Sequence, residues 1–209
     1  MKKVVIADHH PLTANGVEVL LKSTNEYLVV GKVGRGPEIE SCLQKEGPDI
    51  LILEINIPNI TVFQTLKKIR EEFPRTRIAI FSTHPEEIYA LRSIKSGAAG
   101  YISKTATKEV FLQAIKRIAL GGVYLDEKLA LALNSNSIND KSLVGSYKKL
   151  SSREIEVLNL LSSGKRNKDI SVLLEINEKT VSTYKTRLLK KLNANSLAEL
   201  LNQARMFQF

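Results

Sequence analysis

Five short apolar runs recur through the first hundred residues: Val4 to Ala7, Tyr27 to Val30, Ile50 to Leu53, Ile78 to Phe81, and Gly100 to Ile102. They lie about 25 residues apart and are too short for helices, which suits strands buried on both faces. The stretches between them carry helical periodicity. The clearest is Val110, Ala114 and Ile118, reinforced by Phe111 and Ile115. Strand and helix alternating five times predicts a doubly wound, five-stranded parallel sheet with right-handed crossovers and helices on both faces.

In such a sheet, ligands and chemistry collect beyond the carboxyl ends of the strands. The residues that follow the five runs are polar: Asp8-His9-His10, Glu54, Ser82-Thr83 and Lys104. A solubility requirement explains any one of them. A set that mixes two carboxylates, hydroxyls, imidazoles and an ammonium at one edge points to a present or ancestral site.

A second pattern begins near Leu150, where periodicity becomes wholly helical. Ser151 or Ser152, with Glu154 or Glu156 in reach, reads as a capping box. Gly164 stops that helix and Asn167 is placed to cap the next. A third helix is expected from about Asn177 to Leu192, and a fourth from Ser196 to about Met206. Between the halves, a short helix over Asp126 to Leu133 leads into the aperiodic polar stretch Asn134 to Ser142, which reads as a linker. The expected division is 1–122, a linker over 123–147, and 148–209.

Charge separates the halves. The chain of 209 residues carries net charge +9, and from Lys148 onward twelve Lys and Arg stand against six Asp and Glu. A basic surplus is the electrostatic footprint of a polyanion-binding face, although solvation alone also produces one. The third helix sharpens the choice. At 100° per residue, Val181, Tyr184, Leu188, Leu189 and Leu192 turn toward a core, leaving Lys179, Ser182, Thr183, Thr186, Arg187 and Lys190 on the opposite face. After Glu178 that helix carries no acid. Cations there can neutralise phosphates, and short hydroxyl side chains let a backbone approach base edges. Helix, short turn, helix is the arrangement whose second member enters the major groove.

No apolar stretch reaches the roughly 20 residues that span a bilayer, and no leader pattern is evident, so a cytoplasmic protein without membrane association is expected. Cys42 is the only cysteine. It excludes a disulfide framework or thiolate metal cluster and reads as a structural thiol.

The segments Leu150-Ser-Ser-Arg-Glu-Ile-Glu-Val-Leu158, Gly164, Asn167-Lys-Asp-Ile170 and Glu178 through Leu192 resemble the LuxR-type helix-turn-helix, an all-α four-helix domain. The run Thr180 to Leu189 is especially similar to the Bvg and Evg branch of two-component activators. Residues 1–122 resemble the flavodoxin-like receiver of NarL/FixJ-type response regulators. The resemblance implies binding of double-stranded DNA as a homodimer. It assigns contacts to Lys179, Thr180, Ser182, Thr183, Lys185, Thr186, Arg187, Lys190 and Lys191, with pairing through Leu197, Leu200, Leu201 and Ala204 or simple core packing there. RNA polymerase and a sensor kinase stay open as partners.

The receiver pattern places an acidic pair after the first strand, an aspartate after the third, Ser or Thr after the fourth, an aromatic in the fifth and lysine after it. Asp8, Ser82, Tyr101 and Lys104 fit. His9 stands where the second acid belongs, Glu54 stands where the phosphoacceptor belongs, and Pro58-Asn59-Ile60 lacks the usual Asp-Gly. Mg²⁺ requires near-octahedral oxygen coordination, so exchanging a carboxylate for imidazole removes a hard ligand and a charge. One extra methylene moves the acceptor by about 1.5 Å, enough to spoil in-line transfer. The expectation is at most weak Mg²⁺ binding at Asp8 and Glu54, no other cofactor and no ordinary phosphorylation.

Three readings of Glu54 stay open: a carboxylate paired with Lys104 that holds an active-like state, a receiver kept for structure or docking, and residual phosphorylation. A conventional phosphorelay output and a module that sequesters a partner regulator are the functional alternatives. His9, His10, Asp8, Glu54 and His84 also invite a metal site. Successive strand residues point to opposite faces, so both imidazoles could meet one ion only if the chain turned directly after Asp8; no metal site is expected. No phosphate loop, nucleophile elbow or Cys-His constellation suggests an enzyme.

Overall fold

The structure is a computed structural model and describes residues 1–126 and 143–205. These fall into two compact units, divided between residues 130 and 131. The short helix expected over 126–133, the linker over 134–142 and the end of the last helix at Met206 lie, wholly or in part, outside the described residues.

The first unit alternates β1 (Lys2–Ala7), α1 (Pro11–Lys22), β2 (Tyr27–Val33), α2 (Pro37–Glu46), β3 (Ile50–Leu53), α3 (Val62–Glu72), β4 (Arg77–Ser82), α4 (Glu86–Ser96), β5 (Gly100–Ser103) and α5 (Lys108–Ala119). All strand pairs are parallel, in the order β2-β1-β3-β4-β5. Every residue of Ile50-Leu51-Ile52-Leu53 is buried, as a run without alternation requires. Val4, Ile6, Ile50 and Ile52 join Leu21 of α1 and Ala114, Ile115 and Ile118 of α5 in one core. Their alternates Val5, Leu51, Leu53 and Ile80 are buried too, and the two-residue period puts them on the other face. Gly100 leaves room for α5 to pack against β5: a Cβ there would stand 2.6 Å from Ile118 Cδ1.

The second unit comprises α6 (Leu143–Lys148), α7 (Ser152–Ser162), α8 (Asn167–Leu174), α9 (Glu178–Lys191) and α10 (Leu197–Arg205). Its core gathers Leu158, Leu161, Ile170, Leu174, Val181, Leu188 and Leu200. The capping box at α7 pairs Ser151 with Glu154: the Glu154 amide donates to Ser151 Oγ at 3.2 Å and the Ser151 amide to Glu154 Oε2 at 2.7 Å. Gly164, at φ +80°, follows the end of α7.

Two local expectations change. Helix α6 occupies a stretch read as linker, because six residues are too few for a periodic signal; Tyr147 within it is buried. The cap of α8 is Arg166 rather than Asn167, since Asp169 in the first turn accepts the Arg166 amide at 3.0 Å and starts the helix one residue earlier. Asn167 is thereby released to face α9.

Candidate switch site and nucleic-acid face

The chain builds β2 on one side of β1 and then returns past β1 to build β3 on the other, so the sheet's switch point lies between β1 and β3. Ala7 pairs with Leu53 there, and the Glu54 amide donates to the Ala7 carbonyl at 2.9 Å. Asp8 and Glu54 therefore leave adjacent strands at one level. Ser82 and Ser103 close the β4–β5 pairing, and the Lys104 amide donates to the Ser82 carbonyl at 2.9 Å. The backbone ladder alone brings these four residues together.

Their side chains form one bonded network. Lys104 Nζ lies 2.5 Å from Glu54 Oε2 and 2.6 Å from Asp8 Oδ2, so a single ammonium bridges two buried carboxylates. Ser82 Oγ donates to Glu54 Oε1 at 2.6 Å, and the Asn56 amide reaches the same oxygen at 3.2 Å. Asp8 Oδ1 accepts from the His10 amide at 2.8 Å and from His10 Nδ1 at 3.0 Å. With its only proton committed to a carboxylate, Ser82 Oγ must accept from His84, whose Nδ1 lies at 3.1 Å and amide at 3.3 Å. Tyr101 is fully buried, and its hydroxyl donates to the His84 carbonyl at 2.7 Å. Burial pushes the Tyr101 phenol well above its ordinary range, which keeps it a neutral donor.

All four carboxylate oxygens of Asp8 and Glu54 thus carry N–H or O–H donors, two of them from an ammonium, and His9 supplies no oxygen. With an imidazole where a second acid would stand, the set is one hard oxygen ligand short of what Mg²⁺ coordination takes. The loop after Glu54 replaces a glycine's freedom with Asn59 at φ +67°, a conformation asparagine tolerates.

His84, a metal-site candidate by sequence, instead bonds to Ser82 through its ring and its amide. Burial lowers its pKa, against the pull of Glu54 and with the push of Lys104. Between the lowered folded value and the ordinary 6.5 the unfolded chain binds more protons, so this histidine's contribution to stability is full above 6.5 and is lost as pH falls through the folded value. The stability difference between wild type and His84→Gln in urea is therefore expected to shrink from pH 7.5 to pH 5.5. The raised carboxyl of Glu86, at about 7, acts with opposite sign but cancels in that difference. A difference independent of pH would contradict a buried neutral His84.

In the second unit, α9 exposes Lys179, Ser182, Thr183, Thr186, Arg187, Lys190 and Lys191, whereas Thr180 and Lys185 are half-buried. Tyr184, expected in the core, is also half-buried, and the Arg187 guanidinium sits 5.8 Å from its ring centre. The hydroxyls of Ser182, Thr183 and Thr186 donate to the carbonyls of Glu178, Lys179 and Ser182 at 3.2, 3.0 and 3.2 Å. They present lone pairs outward. Asn167 Nδ2 reaches Ser182 Oγ at 3.2 Å, and Lys185 Nζ reaches Asn167 Oδ1 at 3.4 Å, which ties α8 to α9. Lys191 Nζ lies 2.8 Å from buried Glu154 Oε2, so it anchors α9 to α7 as well as facing solvent. On α10, Leu200 and Ala204 are core residues, while Leu197 is 37% exposed and Leu201 half-buried.

Sheet, switch point and helix-turn-helix together define a two-domain signalling regulator. Residues 4–116 match the response regulator receiver domain and residues 148–204 the bacterial regulatory proteins of the luxR family. The chain belongs to the NarL/FixJ-type response regulators, transcription factors that carry a LuxR-type DNA-binding domain. It is 34% identical over 208 residues to the oxygen regulatory protein NreC of Staphylococcus haemolyticus, covering 97% of this chain and 96% of the relative. It is 33% identical over 205 residues to BvgA of Bordetella pertussis, a putative positive transcription regulator of virulence factors, at the same coverage. In fold it is similar to RcsB of Salmonella enterica serovar Typhimurium bound to promoter rprA in the presence of the phosphomimetic BeF3⁻. The TM-score is 0.80 at 24% identity over 97% of each chain. No helix among the described residues is long and apolar enough to cross a membrane.

Proposed function

We propose that this chain is a cytoplasmic, homodimeric, sequence-specific DNA-binding regulator whose receiver is held in its active-like arrangement by Glu54, without phosphorylation. One observation carries the reading. The two groups expected to sense a phosphoryl group, the Ser82 hydroxyl and the Lys104 ammonium, both already bond to the Glu54 carboxylate, at 2.6 and 2.5 Å. The extra methylene gives Glu54 the reach to touch both. With Ser82 fixed on Glu54 and Tyr101 buried behind it, the side chains that would report the charged state stand as though charge were present.

Two experiments test this. Incubation with acetyl phosphate is expected to leave the intact mass unchanged, because the acceptor oxygens are occupied and the donor set does not fit Mg²⁺; a stable phosphoprotein at Glu54 would refute the claim. Unphosphorylated wild type is expected to select specific fragments from a genomic DNA pool. Failure to enrich any fragment would favour a module that sequesters another regulator.

The face of α9 divides by chemistry. Lys190→Ala should weaken binding across all sequences by about 1 kcal/mol or less and shallow the salt dependence by about one unit. Thr183→Ala or Thr186→Ala should shift sequence preference and leave that slope alone. Equal effects at all three positions would undo the division. Lys191→Ala is expected to cost fold stability too, through Glu154.

A further inference from the structure

The feature that the switch reading leaves unused is the pair of imidazoles beside Asp8. A shared ion requires the chain to turn directly after Asp8, and it does: β1 ends at Ala7, the chain bends at His9, and the His9 and His10 ring centres lie 3.8 Å apart with their planes tilted at 44°. One ligand atom from each of Asp8, His9 and His10 lies within 4.8 Å of the others. Asp8 Oδ1 and His10 Nδ1 are 3.0 Å apart, and His9 Nδ1 is buried with no hydrogen-bond partner among the described residues.

We propose that Asp8, His9 and His10 form a binding site for a divalent transition ion of the zinc class. Two ligands about 2.1 Å from one ion stand about 3.0 Å apart at right angles and about 3.4 Å apart in a tetrahedron. The Asp8–His10 pair stands at the right-angle spacing, and an ion that displaced the shared proton would widen it by about 0.4 Å and turn the His10 ring to reach the tetrahedral one. His9 offers a nitrogen within 4.8 Å of the other two ligand atoms and closes the set by a ring rotation, which its half-buried position allows. Imidazole nitrogen selects zinc, copper or nickel over magnesium, so exchanging an acid for His9 alters the metal class of the site. Nearby charge favours a cation, since two carboxylates, Asp8 and Glu54, share the one ammonium of Lys104. Asp8 Oδ2 stays on Lys104, so the ion adds to the switch network without dismantling it. Water would complete the coordination on the exposed His10 side.

The full-length protein should bind Zn²⁺ one to one by calorimetry, and Co²⁺ should give a visible spectrum of nitrogen and oxygen ligation. His9→Gln and His10→Gln should each weaken Zn²⁺ at least about tenfold, while Cys42→Ser and millimolar Mg²⁺ should change nothing. His10 is exposed, so His10→Gln keeps the test valid if His9→Gln fails to fold. Binding unaffected by His10→Gln, loss of Zn²⁺ to excess Mg²⁺, or no stoichiometric binding at 100 µM Zn²⁺ would each overturn the proposal.

Discussion

Lys104→Met is expected to destabilise the receiver by about 3–5 kcal/mol, the cost of leaving a buried charge without its partner. Here two charges lose the same partner. Asp8 and Glu54 are 7% and 3% exposed, and their Lys104-facing oxygens lie at most about 5 Å apart, where like charges repel in a medium that screens poorly. Methionine keeps most of the aliphatic volume, so lost packing contributes little. Adding Glu54→Gln removes one of the facing charges and should recover at least about 1 kcal/mol, a coupling measurable in a double-mutant cycle. Urea unfolding of the four proteins reads both terms. A Lys104→Met protein within about 1 kcal/mol of wild type, or strict additivity, would mean that the ammonium does not hold these carboxylates together.

The sheet was legible because its strands are buried on both faces. Ile50 to Leu53 has no choice but the interior, and the five such runs counted the strands. The residues after each run were legible for the same reason: parallel pairing with fixed register places Asp8, Glu54, Ser82 and Lys104 at one edge whatever the helices do. What single-residue reading missed lies in side-chain chemistry at short range. His84 follows Ser82 by two residues, an i, i+2 spacing that could have suggested a shared face, yet its role depends on where the Ser82 proton goes. The same holds for the Asp8–His9–His10 turn, since a bend just after a strand leaves no periodic mark. In the second unit, the hydrophobic period located α7, α9 and α10. It overlooked α6, which is too short to repeat. It also could not say that Lys191 turns back to Glu154, because that pairing spans two helices and 37 residues.

Glu54→Gln is expected to lower affinity for a selected operator by about tenfold, or about 1.4 kcal/mol, and to weaken dimerisation with it. Glutamine fills the same space and still accepts from Ser82, but it removes the charge that Lys104 faces. A receiver retained only for its shape would not register the change, so unaltered affinity would decide for structure over charge. Glu54→Asp sharpens the comparison. Its carboxylate keeps the charge but withdraws by about 1.5 Å, beyond bonding distance of Ser82 and Lys104 together, so affinity should fall here too. Acetyl phosphate should not restore it, because His9 still leaves the site short of an oxygen ligand and Asp8 still holds Lys104 at 2.6 Å. Recovery in Glu54→Asp on phosphodonor addition would show that the length of one side chain was all that separated this receiver from a phosphorylated one. Recovery only after His9→Asp is added would show that both departures had to occur before Glu54 could take over the charge.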